Sequence, residues 1–162
     1  MAEGRVFTDP PSKSFEDFAL GDVVMTRGRT IDIGDISAFA QLTGDWYPLH
    51  IDEDFGKASR FKTRIAHGPF TFTIAVGLVG ISNFYGDAIT ALVEVQSLRA
   101  TRPMLAGDTL RVRAEVVELT PGDNPKYGRI GVAYSVRNQR DEEVMNFLQI
   151  MLARRAKGEN NG

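Results

Sequence analysis

The chain has two histidines, and each lies in a stretch with further chemical equipment. The first stretch runs Thr43-Gly44-Asp45-Trp46-Tyr47-Pro48-Leu49-His50-Ile51-Asp52, and the second Arg64-Ile65-Ala66-His67-Gly68-Pro69. Asp45 offers a carboxylate and His50 an imidazole, five positions apart across a proline turn that keeps them from stacking on one helix face. Such a pair can hold one water: the carboxylate takes its proton while the imidazole delivers another elsewhere on a substrate. Each positioned transfer is typically worth about 10² to 10⁴ in rate. Gly68 adds a third element. With Pro69 as the first helical residue, the N–H just before it, that of Gly68, projects from the positive end of a helix, where a carbonyl oxygen gaining charge is stabilised. Activated water beside a polarised carbonyl is the equipment for adding water to a double bond conjugated with that carbonyl.

Each residue also has a plainer reading. An Asp after a helix-ending glycine is ordinarily a turn residue, and a lone histidine often satisfies a hydrogen bond in the core. The pairing of Asp45 with His50 favours chemistry. His67, beside Gly68, is read as a hydrogen-bonding partner, since the reaction needs only one acid/base pair. Trp46 and Tyr47 serve either as pocket walls or as anchors of the turn. With His67, Pro69 and Phe70 they make up the expected substrate-binding set. The group His50, Asp52, Glu53, Asp54 and His67 resembles a metal site, but three successive acids suit the solvated first turn of a helix, so no metal is expected. Thr71 and Thr73 are expected to bond back to the helix backbone.

These residues need a scaffold. A first strand is expected around Asp22 to Arg29. Asp32 can cap a helix in which Ile33, Ile36, Phe39 and Ala40 share a face, ended by Gly44. Pro48 disfavours α geometry at Tyr47, so Asp45 to Leu49 reads as an irregular turn, followed by a short helix over Asp52 to Ser59. From Ile65 to Gly86 the sequence has no formally charged residue, and Pro69 opens a helix expected to be apolar on all sides and buried in protein, not membrane. Four strands follow: Ile89 to Thr101, Thr109 to Leu119, Tyr127 to Asn138 and Glu143 to Arg154. The alternation of Leu110, Val112, Ala114 and Val116 shifts phase at Val117 and Leu119, which predicts a bulge. In Ile130 to Val136 one face is large and the other small, and the small face would let a helix approach closely. The last strand is apolar on both faces and should be central. The result is an α+β fold: a curved antiparallel sheet of about five strands wrapped around a long buried helix.

At 162 residues the chain fits one domain, spanning 1–162 with a core of about 20–155. A net charge of −2 speaks against nucleic acid, although Arg99, Arg102, Arg111 and Arg113 could meet a phosphate on a small ligand. The absence of cysteine rules out thiolate chemistry and suits a reducing compartment. The opening Met1-Ala-Glu-Gly-Arg5 has no apolar run of a signal peptide, so the expected location is cytoplasmic.

Gly44, Asp45, Pro48, Leu49, His50 and Asp52, with Ala66-His67-Gly68 downstream, resemble the hydratase-2 motif of the MaoC-like dehydratases, the (R)-specific enoyl-CoA hydratases. The resemblance covers roughly residues 20 to 155 and implies a hot-dog fold. It further implies reversible hydration of a trans-2-enoyl-CoA to an (R)-3-hydroxyacyl-CoA, with Asp45 and His50 as the catalytic pair and the Gly68 N–H as oxyanion donor. Coenzyme A enters as part of the substrate and no separate cofactor is implied. The expected assembly is a homodimer or dimer-based oligomer with a pantetheine tunnel near the subunit interface. Two departures stand out: the family's usual Asn is Tyr47 here, and Val76 occupies the place of a serine on the central helix. A thioesterase on the same type of fold, or a module that binds acyl-CoA without turnover, are the alternatives.

Overall fold

The computed structural model describes residues 5–156. Helix α1 (Ile33–Thr43) begins at Asp32, whose N–H is accepted by Asp35 Oδ2 at 2.9 Å. It ends at Gly44, which takes the left-handed φ of 75° and donates its N–H to the Ala40 carbonyl at 2.8 Å. Ile36 and Ala40 are buried, whereas Ile33, expected on the same face, is exposed. Two short helices follow, α2 (Pro48–Ile51) and α3 (Glu53–Ala58), and then the longer α4 (Gly68–Gly80).

The sheet contains β1 (Val23–Met25), β2 (Arg29–Thr30), β3 (Ile89–Ala100), β4 (Thr109–Thr120), β5 (Tyr127–Arg137) and β6 (Glu143–Arg154). All pairings are antiparallel in the order β1-β4-β5-β6-β3, with β2 also on β4. The strand expected over 22–29 is therefore two, giving six strands where about five were expected. Thr26 causes the break. Its N–H reaches the Val112 carbonyl at 2.9 Å, but its hydroxyl, not its carbonyl, accepts the Val112 N–H at 2.9 Å. The bulge in β4 is present: Val116 pairs with Val132 and Glu118 with Gly131, leaving Val117 unpaired. β6 lies inside the sheet, between β5 and β3, as its two apolar faces require.

The core lies between the sheet and α4. Phe147 on β6 packs edge-on against Phe72 of α4 at 4.9 Å and stacks on Tyr134 of β5 at 4.4 Å. The large face of β5 thus meets the helix, contrary to the expectation that its small face would. Bulk is tolerated there because the Tyr134 hydroxyl finds a partner in the Tyr85 hydroxyl at 2.8 Å. Burial raises both phenols, Tyr134 to about 12. The small residues face outward, where Gly131 accommodates the Glu118 side chain.

Helix α4 departs from expectation in two ways. It starts at Gly68, one residue before Pro69, and its own chain does not surround it. Phe70, Thr71, Ile74, Ala75, Leu78 and Val79 are buried, but Pro69, Thr73, Gly77 and Gly80 form an exposed stripe. Among the described residues no helix is long and apolar enough to cross a membrane.

Candidate active site

Three segments meet at the start of α4. Gly44 turns the chain out of α1, and the turn that follows is held by its own side chains: Thr43 Oγ1 accepts the Asp45 N–H at 3.3 Å, and Asp45 Oδ1 accepts the Tyr47 N–H at 3.3 Å. Only one Asp45 oxygen is engaged in this way. The irregular region is shorter than the sequence suggested. Pro48 keeps Tyr47 extended, at φ −57° and ψ 131°, yet its own fixed φ suits the first residue of a helix. Pro48 and Leu49, expected in the turn, therefore lie with His50 on a one-turn helix. Asp52 closes α2 with its N–H and opens α3 with its carboxylate, which accepts the Asp54 and Phe55 N–H groups at 2.9 and 3.0 Å.

The clamp on His50 comes from the segment before α4. Its Nδ1 donates to the Ile65 carbonyl at 2.8 Å, which leaves Nε2 outside that bond. Gly56 lets α3 lie against that segment: a Cβ there would stand 2.6 Å from the Arg64 nitrogen and 2.8 Å from the Thr63 carbonyl carbon. Ala66 is tied in turn to the Met104 carbonyl at 2.8 Å.

His67 is 1% exposed. Its Nε2 donates to the Asp45 carbonyl at 3.0 Å, and its ring stacks on His50 with centroids 3.8 Å apart and planes at 29°. Phe39 flanks it at 5.0 Å. One residue therefore contacts both members of the Asp45–His50 pair. Its Nδ1 is buried without a hydrogen-bond partner.

A carboxylate oxygen of Asp45 and a ring nitrogen from each histidine lie within 4.8 Å of one another. Atoms within that limit admit a single water making two hydrogen bonds of about 2.8 Å at a tetrahedral angle, which spans roughly 4.6 Å. Asp52, Glu53 and Asp54 are not part of this cluster.

Gly68 opens α4, so its N–H lies outside the helix's own hydrogen bonds and at the positive end of the dipole. It borders a cavity of about 210 Å³ whose lining includes Ile65, Thr71, Arg102 and Met104. A larger cavity of about 710 Å³ lies elsewhere, between the N-terminal segment and the ends of β5 and β6, and none of residues 43–70 lines it.

The other expected binding residues divide. Trp46 and Tyr47 are about half exposed at 51% and 56%, and Tyr47 packs edge-on against His50 and Phe55 at 6.2 and 6.0 Å. Phe70 is in the core, 5.1 Å from Phe39, and Pro69 is on the surface. Thr73 bonds back to the Phe70 carbonyl at 2.9 Å, as a helix threonine should. Arg60, absent from the sequence expectations, also lines the cavity at Gly68. The signal for it was a run of cations over 57–64 with no acid between Asp54 and Asp87.

A family model for the MaoC-like domain matches residues 17–138. A 3-hydroxybutyryl-CoA dehydratase from Methylorubrum extorquens is 34% identical over 107 residues, 66% of this chain and 66% of that protein. An (R)-specific enoyl-CoA hydratase from Rhodospirillum rubrum is 35% identical over 107 residues, 66% of this chain and 72% of its own length. Among solved structures, a protein from Archaeoglobus described as a monoamine oxidase regulatory protein superposes with a TM-score of 0.84 at 35% identity, covering 90% of this chain and 96% of that one.

Proposed function

The chain belongs to the MaoC-like dehydratase family, and from that premise we propose that it reversibly hydrates a trans-2-enoyl-CoA to an (R)-3-hydroxyacyl-CoA. The observation that carries this reading is that a carboxylate oxygen of Asp45 and a ring nitrogen of His50 lie within 4.8 Å, both residues touched by His67, whose chain neighbour Gly68 opens α4. In the hydration direction Asp45 takes a proton from water as its oxygen bonds to C3. The C2–C3 electron pair moves toward the thioester, whose oxygen accepts the Gly68 N–H, and His50 Nε2 delivers the proton that forms the C2–H bond; the proton taken by Asp45 then passes to His50 Nε2 and restores the pair. Dehydration is the reverse. The stereochemistry follows from kinship with the (R)-specific hydratases and not from the pair's geometry.

A second copy of the chain is part of this reading. β3 is a 12-residue edge strand with Leu92, Val93 and Leu98 exposed, and such an edge invites pairing with another strand. The uncovered stripe of α4 supports the same partner. A solution mass of one chain counts against it.

The test is kinetic. Asp45→Asn and His50→Ala should each lower kcat for hydration of a short trans-2-enoyl-CoA by about 10² to 10⁴ while the unfolding temperature holds. Rates within threefold of the unaltered protein in both variants refute the assignment.

A further inference from the structure

The two arginines that line the cavity, Arg60 and Arg102, have no role in the proton transfers. Lys57, Arg60, Lys62 and Arg64 fall within eight positions in a chain whose net charge is −2, so this is a local concentration. Glu53 engages two of them, Arg64 at 2.9 Å and Lys57 at 3.8 Å. Arg60 has no carboxylate partner among the described residues, and its guanidinium carbon lies 4.6 Å from the Phe61 ring centroid, which orders the flat cation without neutralising it. Arg102 faces the same cavity from the loop after β3. Its carboxylate contact, with Glu142, is long at 4.0 Å, and its side chain is 57% exposed. The other three arginines that could have met a phosphate are placed differently. Arg113 is held by Glu115 at 2.6 Å, while Arg99 and Arg111 lie on strands and do not line the cavity. One cavity thus joins two available guanidinium groups to the residue proposed to hold the thioester oxygen.

We propose that Arg60 and Arg102 anchor the phosphates of the substrate's coenzyme A portion, from the same cavity that Gly68 borders. The proposal rests on the thioester reading of the site. It follows from the preference of guanidinium for phosphate oxygens, the available charge of both side chains, and a cavity that opens on both. Anchoring the handle leaves the acyl group free to vary and places the carbonyl at Gly68 through binding energy from a non-reacting part of the substrate.

The experiment compares crotonyl-CoA with the crotonyl thioester of pantetheine, which carries the same reacting atoms and no phosphate. A charge-assisted contact is typically worth roughly tenfold or more in affinity. The preference in kcat/KM for the coenzyme A thioester should therefore fall by about tenfold or more in Arg60→Ala/Arg102→Ala. Arg113→Ala, on the outer face of the sheet, should keep the preference. Binding of free coenzyme A, followed by calorimetry, is a readout without turnover, and it should weaken in the double variant alone. An unchanged preference together with unchanged coenzyme A affinity overturns the anchor and leaves the hydration reading intact. Loss of coenzyme A binding in the double variant, in a protein that hydrates no enoyl thioester, upholds the anchor and overturns the hydration reading.

Discussion

His67→Phe separates positioning from fold. The imidazole is buried, donates to the Asp45 carbonyl at 3.0 Å, and lies under His50 at 3.8 Å. Phenylalanine keeps a flat ring against His50 and Phe39 but cannot donate. Losing that bond costs about 0.5–1.5 kcal/mol, because the exposed Asp45 turn can find water instead. Removing the unpaired Nδ1 offsets part of this, and the larger ring adds about 1 kcal/mol of overpacking. The net loss is about 1–2 kcal/mol, or roughly 2–8 °C in Tm for a domain of this size. The effect on rate is larger. The Asp45 turn is tethered toward His50 by this bond, and a displacement of about 1 Å in a reacting group costs on the order of 10²-fold. The assay pairs thermal unfolding with kcat and KM for enoyl-CoA hydration, and kcat should fall about 10²-fold with KM little changed. His67→Gln can donate but cannot stack, so it should recover part of kcat. A His67→Phe protein with kcat within threefold of the unaltered chain refutes the tether.

Gly56→Ala should destabilise by about 1–3 kcal/mol and lower kcat, since the new methyl group displaces the backbone that aims the Ile65 carbonyl at His50; equal Tm and kcat would contradict it. Acid stability should show the staple at Glu16, whose carboxyl is held down to about 2 from 4.5 chiefly by the Ala156 N–H and also by Arg155. A depressed folded-state value gives stability that is present above 4.5 and lost as pH falls from there toward 2. Glu16→Gln should therefore unfold at a lower temperature at neutral pH, and its difference from the unaltered chain should vanish near pH 2; a difference independent of pH rules this out. Val93→Lys on the β3 edge should halve the solution mass measured by light scattering, and an unchanged dimer would place the interface elsewhere.

Much of the site was legible because its chemistry is local in sequence. Asp45 and His50 are separated by one proline turn, Gly44 takes the left-handed φ that its place after α1 predicts, and the phase shift at Val117 corresponds to an unpaired residue. What was hidden depends on contacts between distant segments. His67 reads as a hydrogen-bonding neighbour of Gly68, but its partner, Asp45, lies 22 positions away, and only the fold sets its ring under His50. The split of the first strand turns on a threonine hydroxyl taking the place of a carbonyl, a choice that strand propensity does not register. The continuous hydrophobicity of α4 concealed which face its own chain leaves open, because small residues such as Gly77 and Gly80 suit either a buried or an exposed position. Arg60 was overlooked because a charge run is ordinarily a solvated face, and only the cavity distinguishes it from Lys57 and Arg64.

The most direct test of the central claim mixes the protein with a trans-2-enoyl-CoA and follows two signals together, the absorbance of the conjugated thioester and the appearance of free thiol. Hydration predicts that the conjugated absorbance falls without thiol release and that the product is the (R)-3-hydroxyacyl-CoA on chiral analysis. Release of free thiol in step with substrate loss, or a conjugated absorbance that never changes across a panel of acyl chains, would contradict it.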